Sequence, residues 1–273
     1  MTRISIVTPS FNQASFLDET LESVRCQHYP HLEHLVLDGA STDDSIALLE
    51  SKRGPAWNHL RWQSQPDRGQ SHALNQGFAA ATGDIIGWLN SDDRYRPHSL
   101  EAVARAFAQN PHIDILYGDY TIMSAAGAHI STRREIEFSR LVLLHFRFTY
   151  ISSTAVFFRR RIFDEGNFLD ESLHYAMDHD FFARLATRGY RFQHLPAILA
   201  DFRLHPASKG CTLPALQLAE SRATTRKYSS LTRRIPTRTL RDPCFAALRI
   251  LASLLRYSEK FLRGYYLPSA GKP

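Results

Sequence analysis

The sequence predicts an α/β protein: a doubly wound, mostly parallel sheet with helices on both faces, followed by a C-terminal helical extension. Three observations lead there. Short apolar runs alternate with stretches of helical periodicity through the first 120 residues, with crossovers long enough for parallel pairing. Residues 84–97, Asp-Ile-Ile-Gly-Trp-Leu-Asn-Ser-Asp-Asp-Arg-Tyr-Arg-Pro, run a buried-type strand straight into carboxylates, where open α/β sheets keep their ligands. Charge is uneven: residues 1–219 hold 21 Lys/Arg against 24 Asp/Glu, and residues 220–273 hold 12 against 3. The net +6 is therefore a body of −3 and a tail of +9, so the tail is the part suited to an anionic surface.

In order, residues 4–8 form a β-branched strand and Pro9-Ser10-Phe11-Asn12 turns the chain. A helix follows with Leu17, Leu21 and Val24 on one face. Residues 32–37 are a second strand ending at Asp38-Gly39, and Ser41 can cap the next helix with Asp43 and Asp44 in its first turn. Residues 60–63 are a third strand, and Asp67-Arg68-Gly69-Gln70 leads into a helix over 71–81. The central strand spans 85–89. Pro97 then opens a helix with Leu100, Val103, Ala104 and Phe107 inward, and a fifth strand spans 113–117. Beyond Tyr120 the alternation weakens. A hairpin is expected at 123–129, strands at 154–158 and 191–199, and a helix at 178–187.

Hydrophobic content of 44% and charged content of 22% allow a sizeable core. Cys26, Cys211 and Cys244 are scattered, which favours a reducing compartment over a disulfide framework or a zinc–thiolate site. Residues 1–7 read as the entry to a strand rather than a signal peptide, and no apolar stretch is long enough to span a bilayer, so a cytoplasmic location is expected. His28, His31 and His34 are interrupted by Tyr29-Pro30 and read as surface loop; Arg159-Arg160-Arg161 reads as a solvated edge.

Asp38, Asp92 and Asp93 share the carboxyl edge of such a sheet, and Arg68 reaches it from the loop after the third strand. Paired carboxylates suit Mg²⁺ or Mn²⁺; with a cation and an isolated acid, the edge suits a nucleotide diphosphate. On their own these aspartates could equally cap turns. Neither GxxxxGK[ST] nor GxGxxG follows the first strand, which excludes a P-loop and a dinucleotide fingerprint.

Taken in order, Ile6-Val7-Thr8-Pro9-Ser10-Phe11-Asn12, Leu37-Asp38-Gly39-Ala40-Ser41, Asp67-Arg68-Gly69-Gln70-Ser71, Trp88-Leu89-Asn90-Ser91-Asp92-Asp93, Met177-Asp178-His179-Asp180 and Phe202-Arg203-Leu204-His205-Pro206 resemble a family 2 glycosyltransferase of the GT-A fold over residues 4 to 210. The resemblance implies a catalytic unit at 1–210, with a nucleotide half (1–120) and an acceptor half (121–210), and a basic helical extension at 211–273. It implies that Thr8, Pro9 and Asp38 meet the nucleobase, with Asp67 and Arg68 beside the nucleotide. Asp92 and Asp93 would hold Mn²⁺ or Mg²⁺ against the diphosphate. Asp178 would be the general base, with Asp180 as substitute, and Arg203 and His205 would lie on a flexible stretch closing over the diphosphate, His205 near the metal. The implied reaction is inverting transfer from a nucleotide-diphospho-sugar, a UDP-sugar, to a glycan or lipid-linked acceptor. Asn90 stands where many members have Asp, and Met177 where Glu is usual.

In the tail, Asp242-Pro243 reads as a helix start. Arg249, Arg256, Lys260 and Arg263 form one basic stripe opposite Leu248, Leu251, Leu255 and Leu262. Residues 242–267 could lie on an anionic membrane surface, or pack their apolar face on the domain or a second subunit. A lipid-linked acceptor favours the membrane. The rival functions are a nucleotide-sugar hydrolase and a non-catalytic module docking its basic tail on membrane or nucleic acid. The tail has no recognised nucleic-acid motif, so no nucleic acid is expected as a partner.

Overall fold

The computed structural model describes residues 2–147, 149–206, 208, 213–235 and 237–266; Cys211 and Leu267 lie outside them. The strands are β1 Ile4–Ser10, β2 Leu32–Asp38, β3 Leu60–Ser64, β4 Ile85–Trp88, β5 Arg94–Tyr95, β6 Ile115–Ser124, β7 His129–Arg133, β8 Val156–Arg159 and β9 Phe192–Leu204. They form one sheet in the order β3-β2-β1-β4-β8-β6-β9-β5, with β7 on β6. The helices are α1 Ala14–Arg25, α2 Ser45–Ser51, α3 Gln70–Ala80, α4 Ser99–Gln109, α5 Arg140–His145, α6 Arg161–Asp164, α7 Met177–Thr187, α8 Pro214–Tyr228, α9 Ser230–Arg234 and α10 Arg238–Leu262.

β1 pairs in parallel with β2 and β4, and β2 with β3, as their apolar runs imply. Register brings Ser10, Asp38 and Ser64 level, so one edge collects the ends of three strands. The expected parallel continuation stops at β4. β8 enters between β4 and β6, antiparallel to both. Its residues Val156, Phe157 and Phe158 are wholly buried, and an apolar run specifies burial without specifying partner or direction. β6 runs to Ser124, past the expected end at 117, and β9 extends to Leu204 beside it.

α3 lies so close on the sheet that a Cβ at Gly77 would stand 2.3 Å from Val7 Cγ1 and 2.8 Å from Leu37 Cδ2. Ser41 does not cap α2; Asp44 takes that position, and Ser41 turns back to the buried Asp38. α4 starts at Ser99, one residue after His98 with its φ of 64°, rather than at Pro97. His34 is fully buried, so only His28 and His31 match the expected surface loop. Arg159 is likewise no solvated edge: its guanidinium donates to the carbonyls of Ile113 and Phe107.

The tail reverses expectation in two respects. α10 begins at Arg238, ahead of Asp242, and carries Pro243 inside it. Three of its four stripe cations face the body while Arg249 stays exposed: Arg256 donates twice to Glu135, at 2.8 and 2.7 Å, Lys260 lies 3.2 Å from the same carboxylate, and Arg263 meets Glu137. The apolar stripe faces outward, with Leu251, Leu254, Leu255, Phe261 and Leu262 exposed. Among the described residues no helix is long and apolar enough to cross a membrane.

Candidate active site

A cavity of about 1070 Å³ opens at the carboxyl ends of β1, β2 and β4 and extends to the start of α7. Pro9, Gly39, Asp67, Asn90, Asp92 and Asp178 are among the residues that line it. Five separate segments of the chain thus meet at one edge. Individual side chains divide into those that face the hollow and those that build its walls.

Thr8 builds. Its hydroxyl lies 2.9 Å from His34 Nε2 in the core, so Thr8 offers its hydroxyl to β2 instead of to the cavity. His34 is neutral, because burial pulls its pKa down to about 3. Asp38 is also turned inward at 2% exposure, its carboxylate accepting from Ser41 N (2.9 Å), Ser41 Oγ (2.5 Å) and Ser64 Oγ (2.7 Å). Three donors satisfy most of the lone pairs of a buried carboxylate and fix the β2 end. Asp67 faces the cavity with Oδ1 accepting from Gly69 N at 2.7 Å. Arg68 does not: it points to solvent and pairs with Glu171 at 2.7 Å.

Asn90 explains itself. Its Oδ1 accepts from Trp88 Nε1 and Gln70 Nε2, both at 2.9 Å, while its Nδ2 donates to Asp93 Oδ2 at 3.1 Å. An Asp here could accept both bonds but could not donate to Asp93. The amide thus avoids a third carboxylate beside two others.

Asp92 and Asp93 part company. Asp92 lines the cavity, and its Oδ2 lies 3.0 Å from His205 Nε2. Asp93 is 1% exposed and faces away: Oδ1 accepts from Arg203 N (2.8 Å), Oδ2 from Thr154 Oγ1 (2.6 Å). Burial, then the neighbouring Asp92, pushes the Asp93 carboxyl well above the usual range. Its expected place on the metal is corrected to a clamp joining the central strand's tip to β9 and Thr154. Among the described residues no cluster of three His, Cys, Asp or Glu is placed to hold a metal. The pair Asp92–His205 remains. The Asp92 carboxylate fits Mg²⁺ or Mn²⁺ with waters and substrate phosphates completing the shell, whereas the imidazole is a ligand that Mg²⁺ rarely takes.

Arg203 was expected on a flexible stretch. It lies instead inside β9, 2% exposed, with Nε on the Asp92 carbonyl (2.7 Å), Nη1 on the Ala125 carbonyl (2.7 Å) and Nη2 on Glu19. A guanidinium so engaged ties three segments together. His205, one residue past the strand, packs its ring 4.8 Å from that of Phe16.

Asp178 lies in the first turn of α7, half-buried, lining the cavity, with Oδ1 accepting from His179 N at 2.7 Å. The positive end of a helix favours its charged form. Asp180, two residues on and on the opposite side of the helix, is 1% exposed and paired with Lys227 at 2.8 Å, so the substitute base is corrected to a structural anchor. Met177, where a Glu is usual, lines the cavity and takes a 2.8 Å contact from Ser71 Oγ.

No pattern in the sequence signals the residues that brace this corner. Glu220 Oε2 accepts from Tyr175 N and Ala176 N, each at 2.8 Å, and Ser221 Oγ lies 2.9 Å from His179 Nδ1. Both come from α8, more than forty residues away, and no local pattern links them to α7.

Comparison with known proteins places the chain in a family. The family model "Glycosyl transferase family 2" matches residues 5–166. The O-antigen biosynthesis protein RfbC of Myxococcus xanthus is 31% identical over 225 residues, 81% of this chain and 17% of that protein. The chain spans 17% to 44% of the length of four curated relatives, three of them uncharacterized glycosyltransferases. Among solved structures, S. aureus TarS 1–349 in complex with UDP-GlcNAc matches with a TM-score of 0.65 at 17% identity, covering 95% of this chain and 75% of that one. The mannosyltransferase PcManGT from Pyrobaculum calidifontis, in complex with GDP-Man and Mn²⁺, matches with a TM-score of 0.58 at 16% identity, covering 93% and 80%. The chain belongs to glycosyl transferase family 2 and has the GT-A fold that its motifs imply.

Proposed function

We propose that the protein is an inverting, metal-dependent glycosyltransferase that moves a hexosyl or N-acetylhexosaminyl group from a UDP-sugar to an acceptor hydroxyl in glycan or polysaccharide assembly. The observation that carries this reading is that Asp178 and Asp92, the latter paired with His205, line one cavity at the edge where β1, β2 and β4 end. The solved neighbours bound to UDP-GlcNAc and to GDP-Man with Mn²⁺ support a nucleotide-sugar donor.

Asp67 and the backbone around Pro9 and Gly39 line the end of the cavity suited to the nucleoside. Asp92 and His205 would hold Mn²⁺ or Mg²⁺, which when bound supplies Lewis-acid stabilisation to the departing diphosphate. Asp93 and Arg203 act one step back, fixing the Asp92 backbone. Asp178 takes the proton from the acceptor hydroxyl as its oxygen forms a bond to the anomeric carbon and the bond to the diphosphate breaks. Residues 1–210 are the catalytic unit, and 211–273 an extension that braces α7 through Glu220 and Lys227.

The exposed apolar face of α10 supports a peripheral position on a membrane, at its cytoplasmic face. Leu251, Leu254, Leu255, Phe261 and Leu262 would enter the interface. This replaces the expected basic stripe as the contacting face.

The test is UDP release from a panel of UDP-sugars with glycan acceptors, with and without chelator. Asp178→Asn keeps the bond from His179 N but removes the base, so kcat is expected to fall by about 10²–10⁴ with UDP affinity unchanged. Full activity of that variant would remove Asp178 as base; full activity in chelator would remove the metal.

A further inference from the structure

A second cavity, of about 470 Å³, lies between α5, α8 and α10. Four arginines converge on it: Arg147 just beyond α5, Arg222 and Arg226 from α8, and Arg249 from α10. Arg222 and Arg226 stand four apart and so share one helix face. The lining has one carboxylate, Asp242, and Arg238 already holds it at 3.3 Å. Arg222, Arg226 and Arg249 have no acidic partner among the described residues. Like charges gathered around one hollow repel unless an anion offsets them. The imbalance reaches a neighbour: burial, then Arg249, presses the His145 pKa down to about 4.

The cavity also adjoins the first. Ser221 lines both, and its hydroxyl lies 2.9 Å from Nδ1 of His179, the residue after the proposed base. Phe146 and Phe245 supply an apolar wall.

The geometry points to a binding site for a phosphate or diphosphate group carried by the acceptor. This rests on the glycosyltransfer reading, since it makes the arginine cavity the anchor for a molecule whose hydroxyl reaches Asp178 past Ser221. Guanidinium forks match phosphate oxygens two at a time, and the +9 tail then has a local purpose. The phosphate could belong to a lipid-linked diphosphate, its chain passing along the aromatic wall, or to a phosphate ester within a soluble glycan.

The full chain, loaded with UDP to fill the catalytic cavity, is titrated calorimetrically with inorganic pyrophosphate and with farnesyl diphosphate. Arg222→Gln/Arg226→Gln is titrated in parallel, and Arg249→Gln separately. All three side chains are exposed, so the variants are expected to melt within about 1 °C of wild type. The expected result is pyrophosphate binding by UDP-loaded wild type, weakened at least tenfold in the double variant, with UDP affinity unchanged. Farnesyl diphosphate binding tighter than pyrophosphate assigns a lipid-linked acceptor; equal or weaker binding assigns a soluble phosphorylated glycan. Wild type that loses pyrophosphate once UDP is bound, or variants that bind it as tightly as wild type, overturn the site. Wild type that binds no UDP removes the UDP-sugar donor from the glycosyltransfer reading instead, and the comparison of variants still decides the arginine cavity.

Discussion

Removing the carboxylate of Glu135 tests which face of α10 the body holds. Glu135 is 1% exposed and is met by Arg256, 13% exposed, and Lys260, 10% exposed, at 2.7 and 3.2 Å. Burial lowers the Lys260 pKa, although Glu135 beside it works the other way, so this is a desolvated cation that depends on its partner. Glu135→Gln leaves two buried cations without a counter-charge, and breaking such a cluster from one side costs about 3–5 kcal/mol. For a chain of this size, at about 2 °C per kcal/mol, the melting temperature should fall by roughly 6–10 °C. The triple variant Glu135→Leu/Arg256→Met/Lys260→Met removes all three charges and should recover most of the loss, since apolar replacement of a buried ionic cluster is often neutral. Scanning calorimetry on the full chain reads both. A single variant melting within about 1 °C of wild type, or a triple variant no better than the single, would refute the docking of α10 through its basic stripe.

Three further outcomes are expected. Gly77→Ala gains about 1 kcal/mol of helix propensity, yet its Cβ would stand 2.3 Å from Val7 Cγ1, so overpacking of about 1–3 kcal/mol should dominate and the urea midpoint should fall; a rise would contradict the α3 packing. His34, with a folded pKa of about 3 against 6.5 unfolded, contributes stability that is complete above pH 6.5 and lost as pH falls toward 3, because the unfolded chain takes the proton first. By pH 4.5 this amounts to about 2.7 kcal/mol, so His34→Gln should flatten the acid limb of a urea stability profile, and parallel profiles would exclude the effect. Glu220→Ala frees the loop before α7, and kcat should drop roughly tenfold to a hundredfold with UDP affinity retained; an equal loss of UDP affinity would show that α8 braces the donor end instead.

What the sequence made legible were the elements whose cause is local. The apolar runs that became β1, β2 and β4 and the inward faces of α1 and α4 follow from periodicity, and the turns after each strand follow from residue type. The pairing of β8 was not legible, because three consecutive buried apolar residues are the same whichever neighbour runs beside them. Nor was the extension of β9 to Leu204: Arg203 looks like a loop cation until Asp93, Glu19 and the Ala125 carbonyl are brought around it from three other segments.

The same distinction separates the two kinds of candidate site residue. Position at a strand end was readable, and Asp38, Asp92 and Asp93 all reach the expected edge. Direction was not, because adjacent residues leave the backbone on opposite sides and only the surroundings decide which side is the cavity. Asp92 looks in; Asp93 looks back, since Thr154 and the Arg203 amide wait there. In the tail the periodicity correctly divided α10 into a basic and an apolar stripe, but the usual rule that apolar faces pack inward was overruled by one acid, Glu135, placed over a hundred residues earlier. Three of the four cations in the basic stripe, Arg256, Lys260 and Arg263, are consumed in docking the helix. What α10 leaves to the outside beyond Arg249 is therefore mainly hydrophobic, and Arg222, Arg226 and Arg249, which have no acidic partner among the described residues, gather around a hollow that shares Ser221 with the proposed catalytic cavity. With the arginine cavity holding a phosphate as proposed, an extension arranged this way would present an apolar face beside an anion site, the combination that a lipid-linked acceptor, one of the two sources the titration separates, needs.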